Sequence, residues 1–329
     1  MARPRRDLVF GFPMSLRQAL ISGAVRFYSR RLNPNWRRRL SALALPLWPK
    51  GARDTLPMHV KAPGWRVITG DTFIEPATGR LLRGARLIPQ DPPWTAQGSG
   101  APDLTARFGG KIIPREPTLV LYSGDDHGIG AFAAELLPRF LALDPLGVPQ
   151  DMLLVVAYGM ARRSFFQDAI RDGAFRPRPV EVSRPGSFIR AQEVHEIATP
   201  ALDAGVATAI GALMARLYPA TPREPAPVLL CEGGPARMAR LRERLARTDL
   251  AGLAQGAIPL DPAAMRLPEL IARLDAAPLV IAPDSGEAGA LLLARPRARE
   301  LVEIRLDAKA NPRAKVVAAL TGARYRPIG

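Results

Sequence analysis

Residues 277–303 read APLVIAPDSGEAGALLLARPRARELVE. Leu279-Val280-Ile281-Ala282 is the short apolar run of a strand buried on both faces. Pro283, Asp284, Ser285 and Gly286 then form a turn, Ala288 to Ala294 supply helix formers, and Pro296 ends them. A strand that passes through a small-residue turn into a helix aims unpaired backbone N–H groups and a positive dipole end at one spot, where a phosphate can bind. A structural reading competes. Asp284 and Glu287 have the spacing of a capping box, with Asp in place of Ser or Thr, and such a box merely closes the helix start. On local pattern the structural reading leads, so context has to decide.

Working outward, the alternation continues: strand Val228–Cys231, helix Ala236–Ala246, helix Pro268–Ala276, strand Leu279–Ala282, helix Ala288–Ala294, strand Leu301–Ile304. Such alternation predicts a parallel sheet with helices on its faces. Upstream, residues 219–227 (PATPREPAP) carry four prolines in nine positions and read as a linker. Before the linker a second α/β pattern runs from Thr118. Strands are expected at Leu119–Tyr122 and Met152–Ala157, with pieces at Val180–Ser183 and Val194–Ile197. Helices are expected at Ser164–Asp172 and Ala201–Leu217. Phe132, Leu136, Phe140 and Leu143 mark one helix face, and Pro138 inside it would leave the Ala134 carbonyl unpaired and kink the helix. Residues 58–114 are turn-rich with strand-like alternation at Trp65-Arg66-Val67-Ile68, a β-rich lead-in; residues 92–110 read as a loop.

A length of 329 residues exceeds one ordinary core. The division expected is a basic arm over 1–55, an α/β domain with its β-rich lead-in over 56–218, and a Rossmann-like domain over 228–329. The net charge is +16, yet residues 1–55 hold twelve Arg or Lys and two Asp, leaving six net positive charges for the other 274 residues. The arm interleaves Leu20, Phe27, Trp36 and Trp48 with Arg26, Arg30 and Arg37–Arg39, which suits an anionic membrane surface through residues 1–50 or a helical extension folded on the body; both readings stay open. Nucleic acid is not expected as a partner, because no nucleic-acid module accompanies the charge. The single cysteine, Cys231, excludes an internal disulfide and fits a reducing compartment. His59, His127 and His195 lack zinc-ligand spacing, so no metal is expected. Neither a signal peptide nor a transmembrane helix is expected.

Three loops leave the carboxyl ends of expected strands, where open α/β sheets bind ligands. Asp125-Asp126-His127 could supply a general base or cap the next helix. Glu232-Gly233-Gly234-Pro235 lets backbone approach a ligand and places Pro at the first helical position. Arg237 and Arg240, three residues apart on that helix, could clamp a diphosphate or belong to a solvated basic face. The third loop is the turn of Asp284, Ser285 and Gly286.

Three segments together resemble the family 61 glycosyltransferases, the bacterial capsular polysaccharide biosynthesis proteins. They are HGIGAFAAELLPRFLAL (127–143), VLLCEGGPARMARLRERL (228–245) and LPELIARLDAAPLVIAPDSGEAGALLLARPRARELVEI (267–304). Glu135-Leu136-Leu137-Pro138-Arg139 looks like the family's ELLPR helix. The resemblance implies a GT-B architecture of two Rossmann-like lobes. It also implies inverting, metal-independent sugar transfer from a nucleotide-sugar donor to a glycan or lipid-linked glycan acceptor, with no cofactor. The setting it implies is cytoplasmic, at the inner face of the membrane or free of it. Departures stand at Ala131 in place of a histidine, at Cys231-Glu232 in place of a serine-arginine pair, and at Asp284 in place of the histidine of a Gly-x-His-Gly-Ala-Gly turn.

The functional expectation is thus a family 61-type transferase of surface polysaccharide assembly. Its catalytic candidates are Asp126, His127 and Glu135. Donor-binding candidates are Gly233, Gly234, Arg237, Arg240, Asp284, Ser285, Gly286 and Glu303, with Glu303 equally able to serve a structural hydrogen bond. Acceptor candidates are Asp125 and Arg139. The rival is a catalytically silent relative acting as a scaffold at the membrane. A dinucleotide enzyme is disfavoured because no G-x-G-x-x-G follows any expected strand.

Overall fold

The computed structural model describes residues 58–76, 78–83, 86–88, 111–115, 117–122, 127–184, 187–283, 286–306 and 312–328. The arm expected over 1–55, the loop expected over 92–110, and the candidates Asp125, Asp126, Asp284 and Ser285 lie outside the described residues.

The β-rich lead-in is formed by β1 (Met58–Ala62), β2 (Trp65–Ile74), β3 (Leu81–Arg83), β4 (Arg86–Leu87) and β5 (Lys111–Pro114). Next come β6 (Thr118–Tyr122), a helical run of α1 (Ile129–Ala131), a π-helical turn (Phe132–Leu136) and α2 (Leu137–Leu141), then β7 (Leu153–Val156), α3 (Tyr158–Ala161), α4 (Ser164–Arg171), β8 (Val180–Val182), β9 (Ser187–Ile197) and α5 (Ala204–Leu217). These strands make one sheet in the order β4-β3-β2-β9-β6-β7-β8, with β1 beside β2 and β5 beside β9. Strands β5 to β9 pair in parallel, whereas β1 to β4 add antiparallel hairpins. Leu119, Leu154 and Val156 are fully buried, as strands covered on both faces require. Arg66 and Glu196 face each other across β2 and β9 and close a buried ion pair at 2.6 Å, so neither charge is left alone in the sheet.

The second sheet contains β10 (Val228–Leu230), β11 (Ile258–Leu260), β12 (Leu279–Pro283), β13 (Arg299–Ile304) and β14 (Ala323–Ile328), all paired in parallel in the order β11-β10-β12-β13-β14. Its connections are α6 (Pro235–Leu245), α7 (Ala251–Gly256), α8 (Leu267–Ala276), a 3₁₀ helix (Glu287–Leu293) and α9 (Pro312–Leu320). Side chains alternate between the faces. Leu229, Cys231, Ile281 and Val302 pack with Leu241 and Leu245 of α6, while Val228, Leu230, Val280 and Leu301 join Leu270 and Leu274 of α8. The chain leaves β10 outward to β11, then returns to β12 on the opposite side of β10. That reversal opens a crevice at the carboxyl ends of β10 and β12, the topological switch point of a doubly wound sheet.

One apolar cluster joins the sheets. It includes Leu119, Leu154, Ile129 and Phe132 from the first half of the chain and Leu230, Leu270, Leu291 and Leu301 from the second. Two expectations change here. Pro138 does not follow a regular α-helical turn: the turn before it widens into a π-helix, in which the Leu137 N–H reaches the Phe132 carbonyl. The helix expected at 288–294 is a 3₁₀ helix that starts at Glu287 after Gly286, whose φ is 98°. Its tighter winding accompanies close backbone packing, since a Cβ on Gly289 would lie 3.0 Å from Cα of Gly130. The N-cap of this helix is Gly286, and Glu287 turns to Arg237; Asp284 of the expected capping box lies outside the described residues.

Among the described residues no helix is long and apolar enough to cross a membrane.

Candidate functional site

The switch-point crevice forms a cleft of about 520 Å³ whose walls come from both sheets. His127, Gly128 and Gly130, from the loop after β6 and the start of α1, supply one wall, together with Arg163 from the turn between α3 and α4. Glu232, Gly233, Gly234 and Arg237, at the β10–α6 turn, supply the other. Asp261 and Ala263 after β11, and Glu287 after β12, complete it.

The walls touch through glycines. A Cβ on Gly130 would lie 2.1 Å from the Gly286 carbonyl oxygen, so only hydrogen fits between α1 and the turn before the 3₁₀ helix. The segments 127–130 and 286–289, far apart in sequence, therefore share one site. Gly233 and Gly234 have φ of 119° and 81°, values that L side chains rarely adopt, and they fold the chain sharply from β10 into Pro235 at the first position of α6.

Helix starts and charges converge on this cleft. The Ile129 N–H, first in α1, donates to Glu232 Oε2 at 2.8 Å. Glu232 Oε1 stands 3.4 Å from Arg163 Nη1. Arg237 Nη1 donates to the Glu232 carbonyl at 2.9 Å and lies 2.9 Å from Glu287 Oε1. Glu287 and Glu232 are buried, whereas about a third of each arginine side chain is exposed. The carboxylates thus sit deep and the guanidinium groups reach toward solvent. The N-cap of α6 is Gly234, which brings no side chain of its own. Asp261 caps its own turn by accepting from the Ala263 N–H at 3.0 Å.

His127 packs on α3. A Cβ on Gly159 would fall 2.0 Å from His127 Nε2, so the glycine makes room for the imidazole. Cys231, at the end of β10, is fully buried on the face opposite the shared cluster, and burial pushes its thiol up to about 11, which keeps it protonated and unreactive. A second hollow of about 530 Å³ lies along β8, with Tyr158 of α3 in its lining. Among the described residues no three His, Cys, Asp or Glu side chains gather as metal ligands.

Of the residues singled out from sequence, the fold brings His127, Gly233, Gly234 and Arg237 to the cleft, and Gly286 to its floor against Gly130. Others lie elsewhere. Glu135 is buried within the π turn and pairs with Arg313 of α9 at 2.5 Å. Arg139 is 1% exposed and donates through Nε to Thr199 at 2.8 Å, which makes it an interior tie rather than a contact for an acceptor. Glu303, 1% exposed, accepts from the Tyr325 hydroxyl at 2.5 Å, the structural hydrogen bond that was its other reading; burial, with this bond, pushes the phenol up to about 12. Arg240 is exposed on α6 and does not line the cleft. Arg163 and Asp261 were not singled out from sequence. Asp261 follows β11 directly, so recognising that strand would have flagged it, but Arg163 carries no comparable signal.

The chain matches no family model and no curated protein sequence.

Proposed function

We propose that the protein is a family 61-type glycosyltransferase of GT-B architecture, with the cleft as its nucleotide-sugar site. One observation carries the reading. Of the helix starts at the cleft, α1 donates to Glu232, whereas α6 begins at Gly234, which brings no side chain of its own, at the switch point and beside Arg237. Backbone N–H groups at a helix start, a dipole end and an arginine are what a diphosphate requires.

In this reading the Gly233-Gly234 turn and Arg237 hold the donor diphosphate, with the turn at Asp284, Ser285 and Gly286 beside it. The acceptor hydroxyl oxygen attacks the anomeric carbon from the face opposite the leaving group, and the nucleoside diphosphate departs with the bonding pair. His127, with Asp126 next to it in the chain, takes the hydroxyl proton, while Arg237 and the α6 N–H groups stabilise the charge growing on the leaving oxygen. The acceptor is a glycan or lipid-linked glycan in surface polysaccharide assembly, and residues 1–50 provide contact with an anionic membrane.

A second reading has its own support. Both cleft arginines are already held by carboxylates, and three acidic side chains line the space. A relative that has lost donor binding and acts as a scaffold would have such a cleft. Calorimetry with UDP, GDP, CMP and their sugar conjugates separates the two. Binding of one of them, weakened at least tenfold by Arg237→Ala, supports the transferase; no binding of any supports the scaffold.

A further inference from the structure

Building on the transferase reading, we infer that Glu287 is a specificity-determining residue: its carboxylate occupies the diphosphate position on Arg237, and a ligand binds by displacing it. Glu287 is the first residue of the 3₁₀ helix, with its side chain 5% exposed and Oε1 2.9 Å from Arg237 Nη1. The same Nη1 also donates to the Glu232 carbonyl at 2.9 Å, so one hydrogen bond and one ion pair within the chain hold the guanidinium at the cleft wall. A guanidinium and a helix start are the two features an incoming phosphate would use, and Glu287 already engages the first.

Glu232 repeats the arrangement on the opposite wall. Its carboxylate takes the Ile129 N–H at the α1 start and faces Arg163 at 3.4 Å. The resident carboxylates therefore satisfy the cleft's positive groups and repel a further anion. Of the two, Glu287 is the one an incoming diphosphate must move. It holds Arg237, which stands in the first turn of α6, after the Gly234 N-cap. Glu232 instead joins the walls through a buried hydrogen bond to α1. Two features soften the displacement. The Arg237 side chain is 31% exposed, so it can swing to a ligand without leaving a buried cavity. Gly233 offers no side chain in the way, and a Cβ there would sit 3.1 Å from Arg237 Cδ.

The consequence is selection by charge and by reach. A monophosphate or a single carboxylate merely exchanges one anion for another on Arg237. A diphosphate can take Arg237 and the α6 N–H groups together, and so outcompetes the resident group. Glu287→Gln keeps the shape and an oxygen beside Arg237 but removes the charge, so it should raise affinity for anions generally and narrow the preference for diphosphate.

The test is titration calorimetry on the full chain with UDP, pyrophosphate and inorganic phosphate, for wild type, E287Q and E232Q, with melting temperature as the folding control. The expected result is UDP and pyrophosphate binding at least tenfold tighter to E287Q than to wild type, with a larger proportional gain for phosphate and a smaller change in E232Q. Wild-type binding that E287Q leaves equal or weakens overturns the inference and leaves the transferase reading standing. Should E287Q fail to fold, Glu287→Ala is measured in its place, and unchanged affinity again overturns the inference. Absence of binding in every protein overturns the transferase reading, and the inference with it.

Discussion

Replacing Gly130 by Ala places a methyl group between the two walls of the cleft. An ideal Cβ there would lie 2.1 Å from the Gly286 carbonyl oxygen and 2.8 Å from its carbonyl carbon, where ordinary contact begins near 3.4 Å. The obstacle is backbone, so no side-chain rotation relieves it, and α1 must move away from the 3₁₀ helix. Overpacking of this kind costs about 3 kcal/mol, the upper end of the usual range. Ala is favoured over Gly in helices, but by no more than about 1 kcal/mol, so the clash decides the sign and leaves a net loss of about 2 kcal/mol. For a chain of this size that lowers the melting temperature by roughly 3 °C. Gly211 is the matched control: it lies inside α5, and a Cβ there meets nothing within 4 Å. Gly211→Ala should stabilise by about 0.5–1 kcal/mol through the same propensity, a rise of about 1 °C. Circular dichroism melts of both variants decide the matter. A G130A protein that melts at or above wild type would refute the close approach of the two walls.

Gly159→Ala should leave the melting temperature within about 2 °C, because the group it strikes is the movable end of a side chain, the His127 imidazole. The His127 ring protons should shift in the NMR spectrum, and unmoved signals would show that the imidazole does not rest on α3. Cys231 should resist thiol reagents at pH 8 in the folded protein and react on unfolding. Its pKa is raised from 9.0 to about 11, first by burial, so its contribution to stability is complete below pH 9 and is lost as pH climbs through 11. Between pH 9 and 11, Cys231→Ala should therefore lose less melting temperature than wild type, and parallel losses would count against a buried thiol. Deletion of residues 1–50 should abolish flotation with liposomes rich in anionic lipid; undiminished flotation would assign membrane contact to another surface.

The strands legible in the sequence were those that are continuous apolar runs. Leu119–Tyr122, Val228–Cys231 and Leu279–Ala282 could be read because burial on both faces removes polar interruptions. The edges of the second sheet had no such signal. Pro259 sits within β11, and β14 reads Ala-Arg-Tyr-Arg-Pro-Ile with every residue at least partly exposed, so each lies at a border where pattern fades. Without those strands the order β11-β10-β12-β13-β14 could not be written, and the switch point stayed hidden. At the site, the glycine turn and Pro235 announce themselves by chemistry of the backbone. The pairs Arg163–Glu232 and Arg237–Glu287 do not, since partners 69 and 50 residues apart leave no periodic trace.

What fixes the cleft is a reciprocal exchange of charges between the two halves of the chain. Glu232, from the second sheet, accepts from the first N–H of α1; Asp168, from α4, accepts at 2.7 Å from the Leu267 N–H that opens α8. Glu135 and Arg313 add a third tie, and Ser164 places its hydroxyl 3.1 Å from the carbonyl oxygens of Ala263 and Met265. Each tie satisfies a buried polar group that would otherwise cost about 1–3 kcal/mol, so separating the sheets would expose several such groups at once. It would also divide an apolar cluster to which both sheets contribute. Opening the cleft as a hinge therefore works against both terms. Ligand entry has to proceed by exchange of side-chain partners within a fixed frame, and the partly exposed Arg237 beside the buried Glu287 is the pair best placed for that exchange.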